Sequence, residues 1–186
     1  MENLAPLTLS GRDRNPPVVA VSGVKNSGKT ALIVGMLPYF TTAGMRVAVI
    51  KHDGHSFIPD IPGTDTGKHL QAGACGTAIF DGEKLKLVRQ VRVEESDLFP
   101  LFPDADLLLL EGFKYSRWPK LELVRRGNSA EPVCDPATLL ALVTDLPLTL
   151  PGVPRLPFGD AAAAARLILS YCNTWRETDK RQEGRL

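Results

Sequence analysis

Cysteine is scarce in this sequence: Cys75, Cys134 and Cys172 are the three present, far apart and without a C-x-x-C pair. That excludes a disulfide framework and a zinc knuckle, both of which need paired thiols, and leaves three reduced thiols expected mostly in the core. Charge of one sign is missing too, since 22 basic residues face 21 acidic ones for a net charge of +1. Nucleic acid and anionic membranes are therefore not indicated as partners. Long apolar runs are lacking, and the N-terminal MENLAPLTLSGRDRNPP has no signal-peptide core, so a cytoplasmic protein is the expectation. Aromatics make up 6% of the chain, yet 44% of its 186 residues are hydrophobic, enough for the core of one domain.

The apolar residues fall into short β-branched runs alternating with amphipathic stretches. Val18 to Val21 reads as a buried strand, Lys29 to about Ala43 as a helix presenting Leu32, Ile33, Met36, Leu37 and Phe40, with Pro38 expected to kink it. Arg46 to Ile50 is a second strand and Asp65 to Gly73 a short helix. Thr77 to Phe80 and Leu85 to Val91 read as strands around an Asp81-Gly82 turn, and Glu94 to Phe102 as a helix. Leu107 to Leu110 is a central strand, Lys120 to Val124 and Leu139 to Val143 are two more, and Asp160 caps a last helix running to about Trp175. This order predicts an α/β fold, a three-layer α/β/α sandwich with a mainly parallel sheet and ligands at the carboxyl ends of its strands. Residues 1–16 read as a flexible leader, 17–175 as the domain, and 176–186 as a charged, disordered tail.

The strongest local signal is "GVKNSGKT", Gly23 to Thr30, a full G-x-x-x-x-G-K-[ST] match between a predicted strand and a predicted helix. Glycines let the loop wrap closely, so that backbone N–H groups form an anion nest at a helix N-terminus. Gly23, Asn26, Ser27, Gly28, Lys29, Thr30 and Ala31 are the loop residues assigned to the nucleotide; Lys29 neutralises phosphate and the Thr30 hydroxyl meets Mg²⁺. A second metal anchor is expected at the end of a neighbouring strand, and Glu111 of "LLLLEG" supplies it, holding the ion directly or through water, or orienting the attacking water. Lys29 and Glu111 are thus the catalytic candidates.

"IKHDGHSF" leaves the second strand at the edge of the sheet where the P-loop emerges, so Lys51 to Phe57 reads as a nucleotide-facing or switch-like loop. Its His52, Asp53 and His55 lack the helical spacing and fourth ligand of a zinc site, so Asp53 is read either as a further contact to Mg²⁺ or as a solvated loop residue. "DIPG" at Asp60 to Gly63 spells D-x-x-G but follows a loop, which makes it a turn with Thr64 capping the next helix. No N-K-x-D guanine reader is present. Thr144-Asp145, closing a strand, offers a carboxylate for guanine N1 and its amine, or else an ordinary turn acid before Pro147.

Together, "GVKNSGKT", the stretch from Ile50 to Ala74, "DLLLLEGFKYSRWPKLELVR" from Asp106 to Arg125 and "ALVTDLPL" from Ala141 to Leu148 resemble the MobB family of molybdopterin-guanine dinucleotide biosynthesis adaptors. The resemblance implies a P-loop NTPase fold, a homodimer, GTP with Mg²⁺, and at most slow GTP hydrolysis. It also implies partnership with a MobA-type guanylyltransferase, with molybdopterin and molybdoenzymes as further candidates. By position it assigns the phosphates to Gly23–Thr30, the metal to Glu111 and the base to Thr144-Asp145. Ala31 and Thr64 depart from the threonine and lysine expected there. The competing reading is a small-molecule kinase closing Arg125-Arg126 over a transfer site. Tyr115, Arg117 and Trp118 are of the types that anchor interfaces.

Overall fold

In this computed structural model, the structure describes residues 16–53, 57–61 and 63–183. Nearly all of the expected leader, and His55, lie outside them. Six parallel strands form one sheet: β1 (Val18–Ser22), β2 (Val47–Lys51), β5 (Leu107–Glu111), β6 (Lys120–Val124), β7 (Leu139–Thr144) and β8 (Arg155–Pro157). Their order across the sheet is β2-β5-β1-β6-β7-β8. β1, β5 and β6 are buried at every residue; β1 and β5 accordingly read as near-continuous apolar runs, whereas β6 buries Lys120 and Glu122 among its apolar residues. Between β2 and β5 lie helix α2 (Asp65–Gln71) and a separate antiparallel hairpin, β3 (Gly76–Phe80) and β4 (Leu85–Arg89).

The two faces of the sheet are covered unequally. Val19, Val21, Leu107, Leu109, Leu121, Leu123 and Val143 pack against helices α1 (Lys29–Thr42) and α3 (Ala161–Glu183). The opposite face, with Val18, Ala20, Ile50, Leu108 and Leu110, is covered by Leu98 and Phe99 of a 3₁₀ turn and by Phe113 and Trp118 of the segment after β5. Glu95–Leu101 winds as a 3₁₀ helix where an α-helix is expected; Pro100 inside it has no N–H to extend an α-helical ladder. Helix α3 continues to Glu183, past the expected end at Trp175 and through most of the segment read as a disordered tail. Its last turns lack apolar periodicity, but most of their residues are good helix formers and no glycine or proline interrupts them before Gly184.

Strand register places the functional groups. β1 and β2 flank β5, with Val21 and Lys51 both paired to Glu111. The loop after β1, the end of β2 and the acid ending β5 therefore meet at one carboxyl edge. Asp106 lies at the opposite edge, where it accepts the Arg46 amide at 2.9 Å.

Candidate functional site

The loop from Gly23 leads into α1 through Gly28, whose φ of 96° is left-handed, and Asn26 is left-handed as well at φ 61°. Gly23 is required at its position: a Cβ there would lie 2.6 Å from the Leu123 carbonyl oxygen and 2.8 Å from Ser27 Oγ. Helix α1 has no side-chain cap and no acid in its first turn, which leaves its N-terminal amides available to an anion. Ser27 Oγ is buried and has no hydrogen-bond partner. A cradle that excludes a Cβ, with open amides and an orphaned buried hydroxyl, fits a polyphosphate.

Lys29 Nζ donates to the carbonyls of Val24 at 2.7 Å and Gly23 at 3.3 Å, so its ammonium lies over the loop. Burial lowers its pKa; Glu111 opposes that, while Lys51 and Lys114 add to it. Thr30 Oγ1 donates to Glu111 Oε1 at 2.8 Å, and Lys51 Nζ stands 3.2 Å from the same oxygen. The structure thus brings together Thr30 and Glu111, the pair expected to hold Mg²⁺, across 81 residues of sequence. A hydroxyl and a buried carboxylate are hard oxygen donors of the kind this ion takes.

These groups line an open cleft of about 1160 Å³ together with Lys25, Asn26, Ala31, His52, Asp53, Gly112 and Phe113 to Ser116. Asp53 is present where a metal contact was expected, beside Lys51 and His52. Sequence reasoning put Lys51 in a nucleotide-facing loop but gave neither it nor Lys114 a role of its own; both add positive charge beside Lys29. The signal for both was position, each following directly or closely after a strand at the edge that carries the P-loop.

Residues 18–145 match the family model described as MobB, Molybdopterin guanine dinucleotide synthesis protein B. The chain belongs to the MobB family. The Molybdopterin-guanine dinucleotide biosynthesis adapter protein of Escherichia coli K12 is 30% identical over 164 residues, covering 83% of this chain and 93% of that one. The probable adapter protein of the same description in Bacillus subtilis 168 is 34% identical over 119 residues, covering 62% and 69%. The crystal structure of Bacillus subtilis MobB aligns with a TM-score of 0.66 at 27% identity, covering 83% of this chain and 96% of that one. A MobB homolog from Bacillus stearothermophilus aligns at 0.62 and 25% identity, covering 84% and 98%. The α/β P-loop NTPase fold expected from the motif is thus the fold of the MobB structures it matches.

In this MobB fold, Thr144 and Asp145 lie at the end of β7, outside the P-loop cleft. Thr144 Oγ1 accepts the Leu146 amide at 3.0 Å, and the exposed Asp145 accepts the Arg126 amide at 2.8 Å. The segment that Asp145 holds reaches the back of the P-loop: Arg125 donates to the Asn26 carbonyl and Asn128 to the Lys25 carbonyl, each at 3.0 Å. Trp118, one of the expected interface aromatics, packs edge-on to Phe99 and donates to Glu95, whereas Tyr115 is 82% exposed.

Proposed function

We propose that this chain is a GTP-binding adaptor in molybdopterin-guanine dinucleotide biosynthesis, working in the cytoplasm beside a MobA-type guanylyltransferase. The observation that carries the nucleotide reading is the uncapped P-loop helix with Thr30 and Glu111 joined at its mouth. Main-chain amides of Gly23 to Thr30 bind phosphate, and Lys29 neutralises it. Thr30 and Glu111, with Asp53 alongside, would hold Mg²⁺, which would supply further neutralisation of the phosphate charge. Thr144-Asp145 would read guanine; Asp145 accepts the Arg126 amide, and the neighbouring Arg125 and Asn128 donate to the Asn26 and Lys25 carbonyls of the cradle. The cations lining the cleft are lysines, which bind phosphate as point charges, and fast phosphoryl transfer generally adds an arginine. That supports binding with slow turnover. Arg125, the lid residue a kinase reading requires, is engaged with the Asn26 carbonyl instead.

The homodimer and the adaptor role draw support from the hairpin, whose apolar face is open to solvent. Molybdopterin and molybdoenzymes are further partners consistent with the family. GTP and ATP titrated side by side with Mg²⁺ test the reading. Tighter GTP binding, turnover below about one per minute and stimulation of the guanylyltransferase are expected. ATP consumption dependent on a small metabolite would establish the kinase instead.

A further inference from the structure

Lys120 is wholly buried in β6, next to the P-loop strand, and faces the thinly covered side of the sheet. Its Nζ donates to three carbonyls of one turn: Ser116 at 2.5 Å, Lys114 at 3.4 Å and Phe113 at 3.5 Å. A buried ammonium is costly unless fully engaged, so this arrangement persists by holding something in place. What it holds is strained: Phe113 adopts φ 48°, a left-handed conformation uncommon for a bulky aromatic residue. The same turn is gripped from other directions. Ser22 Oγ donates to the Gly112 carbonyl at 2.5 Å, the Gly112 amide donates to Val21 at 3.0 Å, and the Phe113 ring lies 5.4 Å from His52. This turn carries Lys114 into the cleft, close enough to Lys29 for the two charges to repel.

We propose that Lys120 is a positioning residue for the polyphosphate site, and that Lys114, on the turn Lys120 holds, is a phosphate-binding cation that sequence motifs of the P-loop do not include. Four lysines, Lys25, Lys29, Lys51 and Lys114, share one cleft with three acids, Asp53, Glu95 and Glu111, of which Glu111 is buried. The surplus positive charge suits the highly charged end of a nucleoside triphosphate. Lys120 fixes the backbone that delivers one of those charges, so the strain at Phe113 is maintained in the free protein and need not be imposed when ligand arrives.

The inference rests on the nucleotide reading above, and the test separates the two. Equilibrium titrations with Mg²⁺ and a non-hydrolysable GTP analogue are made on the wild type, Lys114→Ala, Lys120→Met and the double variant. Each single change is expected to weaken binding by about tenfold. The double variant is expected to be no weaker than the singles by more than about twofold, because both act through one contact. A role for Lys120 in stability alone would lower the melting temperature and leave the affinity of the folded protein intact; that result overturns the proposal. Wild-type affinity in Lys114→Ala overturns it too, whatever Lys120→Met does. Should Lys120→Met not fold, Ser22→Ala loosens the same turn from the other side. It must weaken binding with Lys114 present and have no effect with Lys114→Ala, and any other result overturns the proposal. A wild type without nucleotide affinity would instead dismiss the nucleotide reading itself.

Discussion

At Glu111 a single oxygen, Oε1, serves both the Thr30 hydroxyl and the Lys51 ammonium. Glu111→Gln keeps an acceptor for Thr30 but removes the charge that would draw a divalent cation. GTP affinity in that variant should lose most of its dependence on Mg²⁺, and turnover should fall by at least about tenfold. Affinity measured in EDTA should change by less than about threefold. Titration of both proteins with and without Mg²⁺ checks this, and an unaltered Mg²⁺ response would remove Glu111 from the metal site. The meeting of Thr30 with Glu111 was legible because the P-loop motif is a local device: eight consecutive residues carry it, and the acid ends a buried apolar run. Lys120 was not legible. In "KLELV" it alternates with leucines as a solvent-facing residue would, and its burial depends on a turn that returns over it.

Elements were readable where periodicity and length agreed, as in α1 and β5. They failed where another constraint decided. Arg155–Pro157 pairs as a short edge strand beside β7, yet prolines at 154 and 157 hide it. The β3–β4 hairpin was legible from its Asp81-Gly82 turn, but its attachment was not. Lys86 Nζ lies 2.9 Å from Asp60 Oδ1, joining the hairpin to the segment before α2. The Thr66 hydroxyl, then Lys86, holds the Asp60 carboxyl at about 2, below its ordinary 3.8. A carboxylate with a lowered pKa contributes stability above its unfolded value and loses it as pH falls through the folded one. The hairpin should therefore stay anchored above about pH 4 and loosen progressively toward pH 2. Hydrogen-exchange protection factors in Ala78 to Val88 should drop over that range, and Asp60→Asn should show the drop at neutral pH, by roughly threefold to tenfold. Protection in β1 and β5 should not change; a parallel loss there would mean global unfolding and refute the local link.

For the molecule as a whole, the consequential asymmetry is between a sheet covered on one face by α1 and α3 and on the other by the 3₁₀ turn and the segment after β5, and a hairpin left outside it. Cross-strand pairing sets Phe80 opposite Leu85 and Ala78 opposite Leu87, so one face of the ribbon carries four apolar side chains, all exposed. Phe80 is 78% exposed and Leu87 53%. A two-stranded ribbon is marginal in water, and an apolar face of this kind is stabilised by covering it. A second copy of the chain presents a matching face and would complete it by twofold symmetry. The wild type should then run in solution at twice its 20.2 kDa mass. Phe80→Glu with Leu87→Glu places like charges on a self-complementary patch and should shift the protein to monomer at micromolar concentration. Light scattering coupled to size exclusion reads both states. Because the hairpin does not line the phosphate cleft, GTP affinity in the monomeric variant should stay within about twofold of wild type. Loss of affinity on dissociation would mean that the partner copy helps to build the nucleotide site, and a monomeric wild type would leave the hairpin face to a different protein.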